Sequence, residues 1–347
     1  MHSDEVYMQR CIELARHGLG TAAPNPMVGS VVVYGQEIIG EGYHRRFGDV
    51  HAEVRAIESV ARPALLPHST LYVNLEPCCH HGKTPPCTDL ILKTGIKQVV
   101  IGTADPFDSV AGKGIARLRS HGCQVKVGNL KQECRELNKR FFTFHQHKRP
   151  YIILKWAQTA DGFIDIERMP GAANRPTWIS SERLRMLVHK WRSEEQSILV
   201  GRQTALKDNP RLNVRDWQGP QPLRMVLDKD LSLPPQLMLF DNSQPTIVFN
   251  QAEEKTKGLI RYVRVPFDHR LLESVMWFLV AEGIQSVFVE GGRHLIQSLA
   301  DQDLWDEARV FMGTQYFRRG VPAPTLDKAK TTSHITIGEE SLFLMKR

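Results

Sequence analysis

The chain has 347 residues, 41% of them hydrophobic and 24% charged, with a formal net charge of +7. At about 100 to 200 residues per domain this is the length of two domains, each rich enough in apolar side chains to bury a core, which excludes a disordered chain. An acidic, then amphipathic N-terminus and the lack of any apolar run long enough to span a bilayer predict a cytosolic protein with no membrane partner.

Ser3 is placed to cap a helix reaching His17-Gly18, with Tyr7, Cys11, Leu14 and Ala15 on one face. Val31 to Tyr34, then Gly35-Gln36, then Glu37 to Ile39 reads as a β-hairpin. A helix begins near His51, and a strand from Thr70 to Leu75 stops at Pro77. A further helix opens near Cys87 and ends at Thr94-Gly95, and strands at Val99–Ile101 and Val125–Val127 flank a helix ending near His121-Gly122. This alternation predicts an α/β sandwich. The composition shifts at Lys148-Arg149-Pro150, which sets the expected domains at 1–147 and 148–347. The second half opens on the strand Tyr151–Leu154 and continues with a helix from Ser181 to Arg192. Strands follow at Ser197–Val200, Arg224–Leu227 and Thr246–Phe249, then a helix from Leu271 to Ala281. The strand Val287–Glu290 leads through Gly291-Gly292 into a last helix, and no internal repeat is present.

All six cysteines (11, 78, 79, 87, 123 and 134) lie in the first half, and three fall within ten residues. Without a secretory signal such a cluster points to metal or catalysis rather than to disulfides. His51-Ala52-Glu53 is followed by Pro77-Cys78 and then Cys87. One imidazole and two thiolates are three ligands of the kind zinc prefers, and a fourth position left open is the mark of a catalytic zinc that activates water. Glu53 is then the natural proton carrier. The usual zinc-deaminase signature has Pro-Cys-x-x-Cys, whereas eight residues separate Cys78 from Cys87 here. A closed structural site is the competing reading, with His80, His81 or Cys79 as the fourth ligand.

Pro24-Asn25-Pro26-Met27-Val28-Gly29, His51-Ala52-Glu53 and the run Leu75-Glu76-Pro77-Cys78-Cys79-His80-His81-Gly82-Lys83-Thr84-Pro85-Pro86-Cys87 closely resemble the deaminase half of the bifunctional riboflavin-biosynthesis deaminase/reductases. The resemblance implies a cytidine-deaminase-like α/β/α sandwich, zinc on His51, Cys78 and Cys87, Glu53 as general acid and base, and substrate contacts from Asn25, His44, Lys83 and Asp105. Cys79 stands where Ser is frequent in the family, and Phe107-Asp108 where Asn-Pro is usual.

No G-x-G-x-x-G follows a strand in the second half, which argues against a Rossmann domain. Glu290-Gly291-Gly292-Arg293, at a strand end entering a helix, is the candidate phosphate-binding turn. Lys155-Trp156-Ala157, Trp178-Ile179-Ser180-Ser181, Val200 to Thr204 and Asp208-Asn209-Pro210-Arg211-Leu212 through Arg215 resemble the reductase half of the same family. That resemblance implies a dihydrofolate-reductase-like α/β domain with NADPH contacted by Ala157, Trp178, Thr204, Asp208, Lys229 and the segment Gly292, Arg293, His294 and Leu295. Arg192, Leu212, Arg215 and Glu290 would contact the substrate. Pro176 in place of Ser, Asn209 in place of Asp and a longer Asp161–Trp178 loop depart from the pattern.

The expected chemistry is hydrolytic loss of an amino group from a diaminopyrimidinone carrying a phosphoribosylamino group, then reduction of ribosyl to ribityl by NADPH, with one zinc per chain. The partner is a small phosphorylated pyrimidine, which fits the scattered positive charge, and the assembly a homo-oligomer, dimer or tetramer. A nucleic-acid base deaminase would need a contiguous basic track with stacking aromatics, and the sequence has none. A zinc-stabilised binding protein with a degenerate reductase-like domain is the rival of another class, which cofactor titration separates from an enzyme.

Overall fold

The computed structural model describes residues 4–79, 85–107, 111–168 and 176–347. The chain divides into two compact units, 1–148 and 149–347.

The first unit contains α1 (Asp4–Arg16), β1 (Gly29–Tyr34), β2 (Glu37–Tyr43), α2 (Ala52–Glu58), β3 (Thr70–Leu75) and α3 (Cys87–Lys93). Then come β4 (Gln98–Thr103), α4 (Lys113–Ser120), β5 (Gln124–Val127), α5 (Lys131–Leu137) and α6 (Lys139–His147). The strands form one sheet in the order β2-β1-β3-β4-β5. β1 runs antiparallel to β2 and β3, whereas β3, β4 and β5 are parallel. Gly35, at φ +63, makes the β1–β2 turn that a side chain would strain. β3 is central and its residues are buried on both faces. Leu71 and Val73 pack with Ile57, Ile91 and Ile101 on one side, and Tyr72 packs with Met8, Cys11 and Ile12 on the other. Helices therefore cover both faces, giving the α/β/α sandwich, and the chain leaves the middle of the sheet at Glu76-Pro77-Cys78.

The second unit contains β6 (Tyr151–Gln158), β7 (Phe163–Ile166), α7 (Glu182–Glu194), β8 (Ser197–Gly201), α8 (Arg202–Asp208), β9 (Leu223–Leu227) and β10 (Thr246–Asn250). Next are β11 (Lys255–Lys257), β12 (Ile260–Arg264), α9 (Leu271–Ala281), β13 (Ser286–Glu290), α10 (Arg293–Asp301) and β14 (Glu307–Met312). β15 (Gly320–Pro322), β16 (Lys330–Ile337) and β17 (Glu340–Lys346) close the chain. Ten strands order as β11-β12-β10-β9-β8-β13-β6-β14-β17-β16, and β7 pairs with β15 apart from them. From β12 to β14 neighbouring strands are parallel. Ile152, Leu154 and Trp156 of β6 face the core formed with α9 and α10, and Tyr151 and Ile153 face the core formed with α7. Parallel pairing brings the C-terminal ends of β6, β8, β9 and β13 to one edge, the place where open α/β sheets bind ligands.

Candidate active sites

Three chain segments converge beyond the end of β3. His51 sits immediately before α2 in extended backbone, Cys78 follows Pro77, and Cys87 is the first residue of α3 after Pro86. His51 Nδ1 lies 3.1 Å from Cys87 Sγ and 3.5 Å from Cys78 Sγ, and the three ligand atoms fall within 4.8 Å of one another. Ligand atoms around a tetrahedral zinc with normal bond lengths stand about 3.6 to 3.8 Å apart, so this donor set fits the ion in both chemistry and spacing. The Cys87 N–H donates to Cys78 Sγ at 3.3 Å, and the Cys78 thiol is lowered to about 4, first by the hydrogen bond from the Cys87 thiol, then by that with His51, with the backbone N–H adding less. Among the described residues the cluster has three members. Cys79 is not one of them, and His80 and His81, the other candidates for a fourth ligand, lie outside the described residues.

Glu53, in the first turn of α2, is 4% exposed. Burial pushes its carboxyl up to about 7, so near neutrality it can hold or release a proton. His44 is also buried, and its ring packs edge-on against His51 with centroids 5.6 Å apart. His44 Nδ1–H donates to the Val50 carbonyl at 3.2 Å, which leaves Nε2 to accept from Asn25 Nδ2 at 3.1 Å. Burial holds the His44 pKa down, in keeping with a neutral ring. Two buried asparagines hold the segment that follows Asn25. Asn138 Oδ1 accepts the Met27 N–H, Asn74 Oδ1 accepts the Gly29 N–H, and both side-chain amides donate to the Met27 carbonyl. Asp105 is buried beside the cluster, where burial and then the charges of Glu76 and Cys78 raise its carboxyl to about 6 against a hydrogen bond from the Phe107 N–H. Lys83 lies outside the described residues.

Sequence reasoning gave no role to Glu76, although it organises this edge. Its buried carboxylate accepts the N–H groups of Asp105 at 3.2 Å, Gly112 at 3.0 Å and Ile115 at 3.1 Å. It thereby ties the Asp105 turn and the start of α4 to the residue preceding Pro77-Cys78. Gly114 is required here, since a Cβ would stand 2.1 Å from the Pro77 carbonyl oxygen.

In the second unit the residues singled out by sequence gather at the C-terminal edge of the parallel strands. Glu290 ends β13, and in register beside it Lys155 of β6 brings Nζ to 3.9 Å from Glu290 Oε2. Arg192, from α7, binds the same carboxylate with Nε at 2.6 Å and Nη2 at 2.9 Å. The bidentate face of Arg192 is therefore taken by Glu290. Burial lowers the Lys155 pKa, and burial followed by the charge of Asp165 raises Asp208 to about 6.

Thr204 Oγ1 accepts the Gly292 N–H at 2.8 Å, joining α8 to the turn after β13. A Cβ on Gly291 or Gly292 would meet that hydroxyl at 3.4 or 3.2 Å, so the glycines permit the close approach. Arg293, half-buried, and His294, exposed, open α10, whereas Leu295 is buried in the core and can face a cofactor only through its backbone. Ala157 is half-buried on β6, and Trp178 is 56% exposed with the Arg185 guanidinium 4.4 Å over its ring. Leu212 is also a core side chain, at φ +51, so it too can offer only main chain. Arg215 is exposed and donates from Nη1 to Asn213 Oδ1 at 3.3 Å. Lys229 is exposed after β9, while Arg202 donates to Ser232 Oγ at 2.7 Å.

The two sites define a class: a deaminase-type metal centre in one unit and a strand-edge cofactor cleft in the other. Residues 1–103 match the cytidine and deoxycytidylate deaminase zinc-binding region, and residues 150–316 match the RibD C-terminal domain. The riboflavin biosynthesis protein RibD of Aquifex aeolicus is 37% identical, with 99% of this chain and 98% of that protein covered. The Synechocystis RibD is 44% identical over 94% of this chain and 88% of that protein. The crystal structure of a diaminohydroxyphosphoribosylaminopyrimidine deaminase/5-amino-6-(5-phosphoribosylamino)uracil reductase from Thermotoga maritima superposes with a TM-score of 0.89. It is 39% identical and covers 99% of this chain and 98% of its own. The chain belongs to the RibD family, the bifunctional deaminase/reductases of riboflavin biosynthesis.

Proposed function

We propose that residues 1–147 hydrolyse the 2-amino group of 2,5-diamino-6-(5-phosphoribosylamino)pyrimidin-4-one, and that residues 148–347 reduce the ribosyl group of the resulting aminouracil to ribityl. The observation that carries the reading is the His51, Cys78 and Cys87 donor set with the buried carboxyl of Glu53 two residues along from His51. His51, Cys78 and Cys87 would hold zinc, whose Lewis acidity would activate water. Glu53 takes a proton from the attacking water and delivers protons to the ring nitrogen and the departing ammonia. Asn25 and His44, bonded to each other, orient the pyrimidine together with Lys83 and Asp105.

In the second unit NADPH supplies the hydride. Ala157, Trp178, Thr204, Asp208, Lys229 and the residues from Gly292 to Leu295 would hold it, the last through backbone. Arg192, Glu290, Arg215 and the main chain at Leu212 orient the sugar and its phosphate, because hydride delivery depends chiefly on orientation and exclusion of water. We place the enzyme in the cytosol with its small phosphorylated substrate and as a homo-oligomer, dimer or tetramer, which sedimentation at micromolar concentration checks. The test of function is to supply the diaminopyrimidinone phosphate with and without NADPH and to follow both products by mass. Deaminated product alone should form without NADPH and ribityl product with it. No deamination by zinc-loaded protein overturns the reading.

A further inference from the structure

One histidine joins α7 to the segment between α8 and β9. His189 lies one turn before Arg192 and is 2% exposed. Its Nε2 stands 3.1 Å from Asp216 Oδ2, and its Nδ1 accepts the Arg215 backbone N–H at 3.4 Å. Together these contacts specify the neutral ring with its proton on Nε2. The groups facing it are Arg192 on its own helix, Arg215 and Asp216 on the segment, and Glu290 of β13. Burial, then Arg192 and Arg215, outweigh the two carboxylates and push the ring down to about 4, so it remains an acceptor at neutral pH.

The segment it holds is held residue by residue. Asn209 and Leu212 adopt φ +43 and +51, conformations that non-glycine residues rarely take without tertiary support. Arg192 Nη1 donates to the Asn213 carbonyl at 3.0 Å, and the Gln221 side-chain amide binds both the N–H and the carbonyl of Val214, at 2.7 and 2.8 Å. His189 secures the next backbone amide, that of Arg215. It also shares Asp216 Oδ2 with Arg215, whose Nε lies 3.5 Å from the same oxygen. A donor on that oxygen draws the carboxylate toward the helix and leaves the exposed guanidinium less neutralised.

We propose that His189 is a positioning residue for the reductase substrate: by fixing the Arg215 amide and holding Asp216, it presents the Arg215 guanidinium to the anionic end of that substrate. The proposal rests on the reading of Arg215 as a substrate contact, and the test separates the two. His189→Ala, His189→Asn, His189→Gln and Arg215→Ala are made in the full-length, zinc-loaded protein. Steady-state reduction of the aminouracil phosphate is measured together with NADPH binding by nicotinamide fluorescence and with the deaminase rate. His189→Ala should raise KM for the aminouracil phosphate roughly five- to tenfold, as expected for loss of one or two hydrogen bonds, with kcat, NADPH binding and deamination little changed. His189→Asn, whose amide oxygen can replace Nδ1 as acceptor, should recover most of the loss.

An unchanged KM in His189→Ala beside a raised KM in Arg215→Ala overturns the proposal. An unchanged KM in Arg215→Ala overturns instead the reading on which it rests. Should His189→Ala lose NADPH binding as well, the two amide variants decide. A KM near wild type in His189→Asn and raised in His189→Gln supports positioning through the Arg215 amide, and equal values overturn it.

Discussion

Arg192 and Glu290 form a buried bidentate pair, Nε to Oε1 at 2.6 Å and Nη2 to Oε2 at 2.9 Å, with Lys155 Nζ 3.9 Å from the same carboxylate. Lys155 also feels the Asp208 carboxylate, so two cations face two carboxylates at this end of the sheet. The pair also ties α7 to β13, and Arg192 Nη1 ties in the segment beyond α8 through the Asn213 carbonyl.

The pair has a pH signature. Burial alone would raise the Glu290 pKa, but Arg192 and Lys155 outweigh it and hold the carboxyl down at about 2. A carboxylate with a depressed folded-state pKa contributes stability that is fully present above its unfolded value near 4.5 and is lost as the pH falls toward 2. Glu290→Gln removes that contribution and leaves Arg192 without its charged partner, a change that costs about 3 to 5 kcal/mol for buried pairs. Urea unfolding followed in the reductase unit should therefore show a large deficit for Glu290→Gln at pH 6 that narrows steadily below pH 4.5. A deficit independent of pH between 6 and 3 would show that packing, not charge, sets the cost.

Asp208 has the opposite sign. Burial and then Asp165 raise it from 3.8 to about 6, against Arg168, Lys207 and Lys155. The folded state thus favours the protonated acid. Relative to the unfolded chain it is undisturbed below pH 3.8 and destabilised increasingly up to about pH 6. Asp208→Asn should raise the Tm of the reductase unit at pH 7.5, show little difference below pH 4, and weaken NADPH binding. A variant less stable at pH 7.5 than the wild type contradicts the assignment.

In the deaminase unit, metal binding and proton transfer fall to different residues. Cys87→Ser should lower the zinc content well below one per chain by metal analysis, since a hydroxyl replaces a thiolate in a three-residue set. Glu53→Gln should keep the zinc and the fold and abolish deamination, while reduction of separately supplied aminouracil phosphate survives. Full zinc in Cys87→Ser removes that residue from the ligand set, and substantial deamination by Glu53→Gln removes Glu53 from proton transfer.

Much of the architecture was legible because particular residues enforce it. Thr94-Gly95 ends α3 as expected, with Gly95 at φ +78, and β3 reads as an apolar strand stopped by proline. The clustering of His51, Cys78 and Cys87 was legible because metal chemistry restricts residue type and order in the chain. Lys131 to His147 was harder: it reads as polar and basic, yet folds into α5 and α6 because Cys134, Phe141 and Phe142 are buried and Asn138 brackets Met27. The hairpin of β16 and β17 escaped notice because β16 is a largely exposed edge strand with no clear alternation of apolar residues. Glu76 and His189 escaped notice as organising residues for another reason. Each works by accepting backbone N–H groups from segments distant in sequence, and no spacing along the chain encodes that.

Cofactor choice turns on the side chains beyond β8 and β9. Lys229 follows β9 at the C-terminal edge of the parallel strands, its carbonyl accepts the Gln251 N–H at 3.0 Å, and its side chain is exposed. A lysine there can meet the 2′-phosphate of NADPH as a point charge, a contact that NADH lacks. Arg202, across the neighbouring strand end, is less available, since its Nε donates to Ser232 Oγ at 2.7 Å and lies 3.7 Å from Asp228 Oδ1. Lys229→Ala should therefore raise the apparent KM for NADPH several-fold and leave that for NADH nearly unchanged, with kcat preserved, because the lost contact is made equally in ground and transition states. Fluorescence titration should show the same split in binding. Equal effects on both cofactors would mark Lys229 as structural, and a loss confined to Arg202→Ala would move the phosphate contact one strand over.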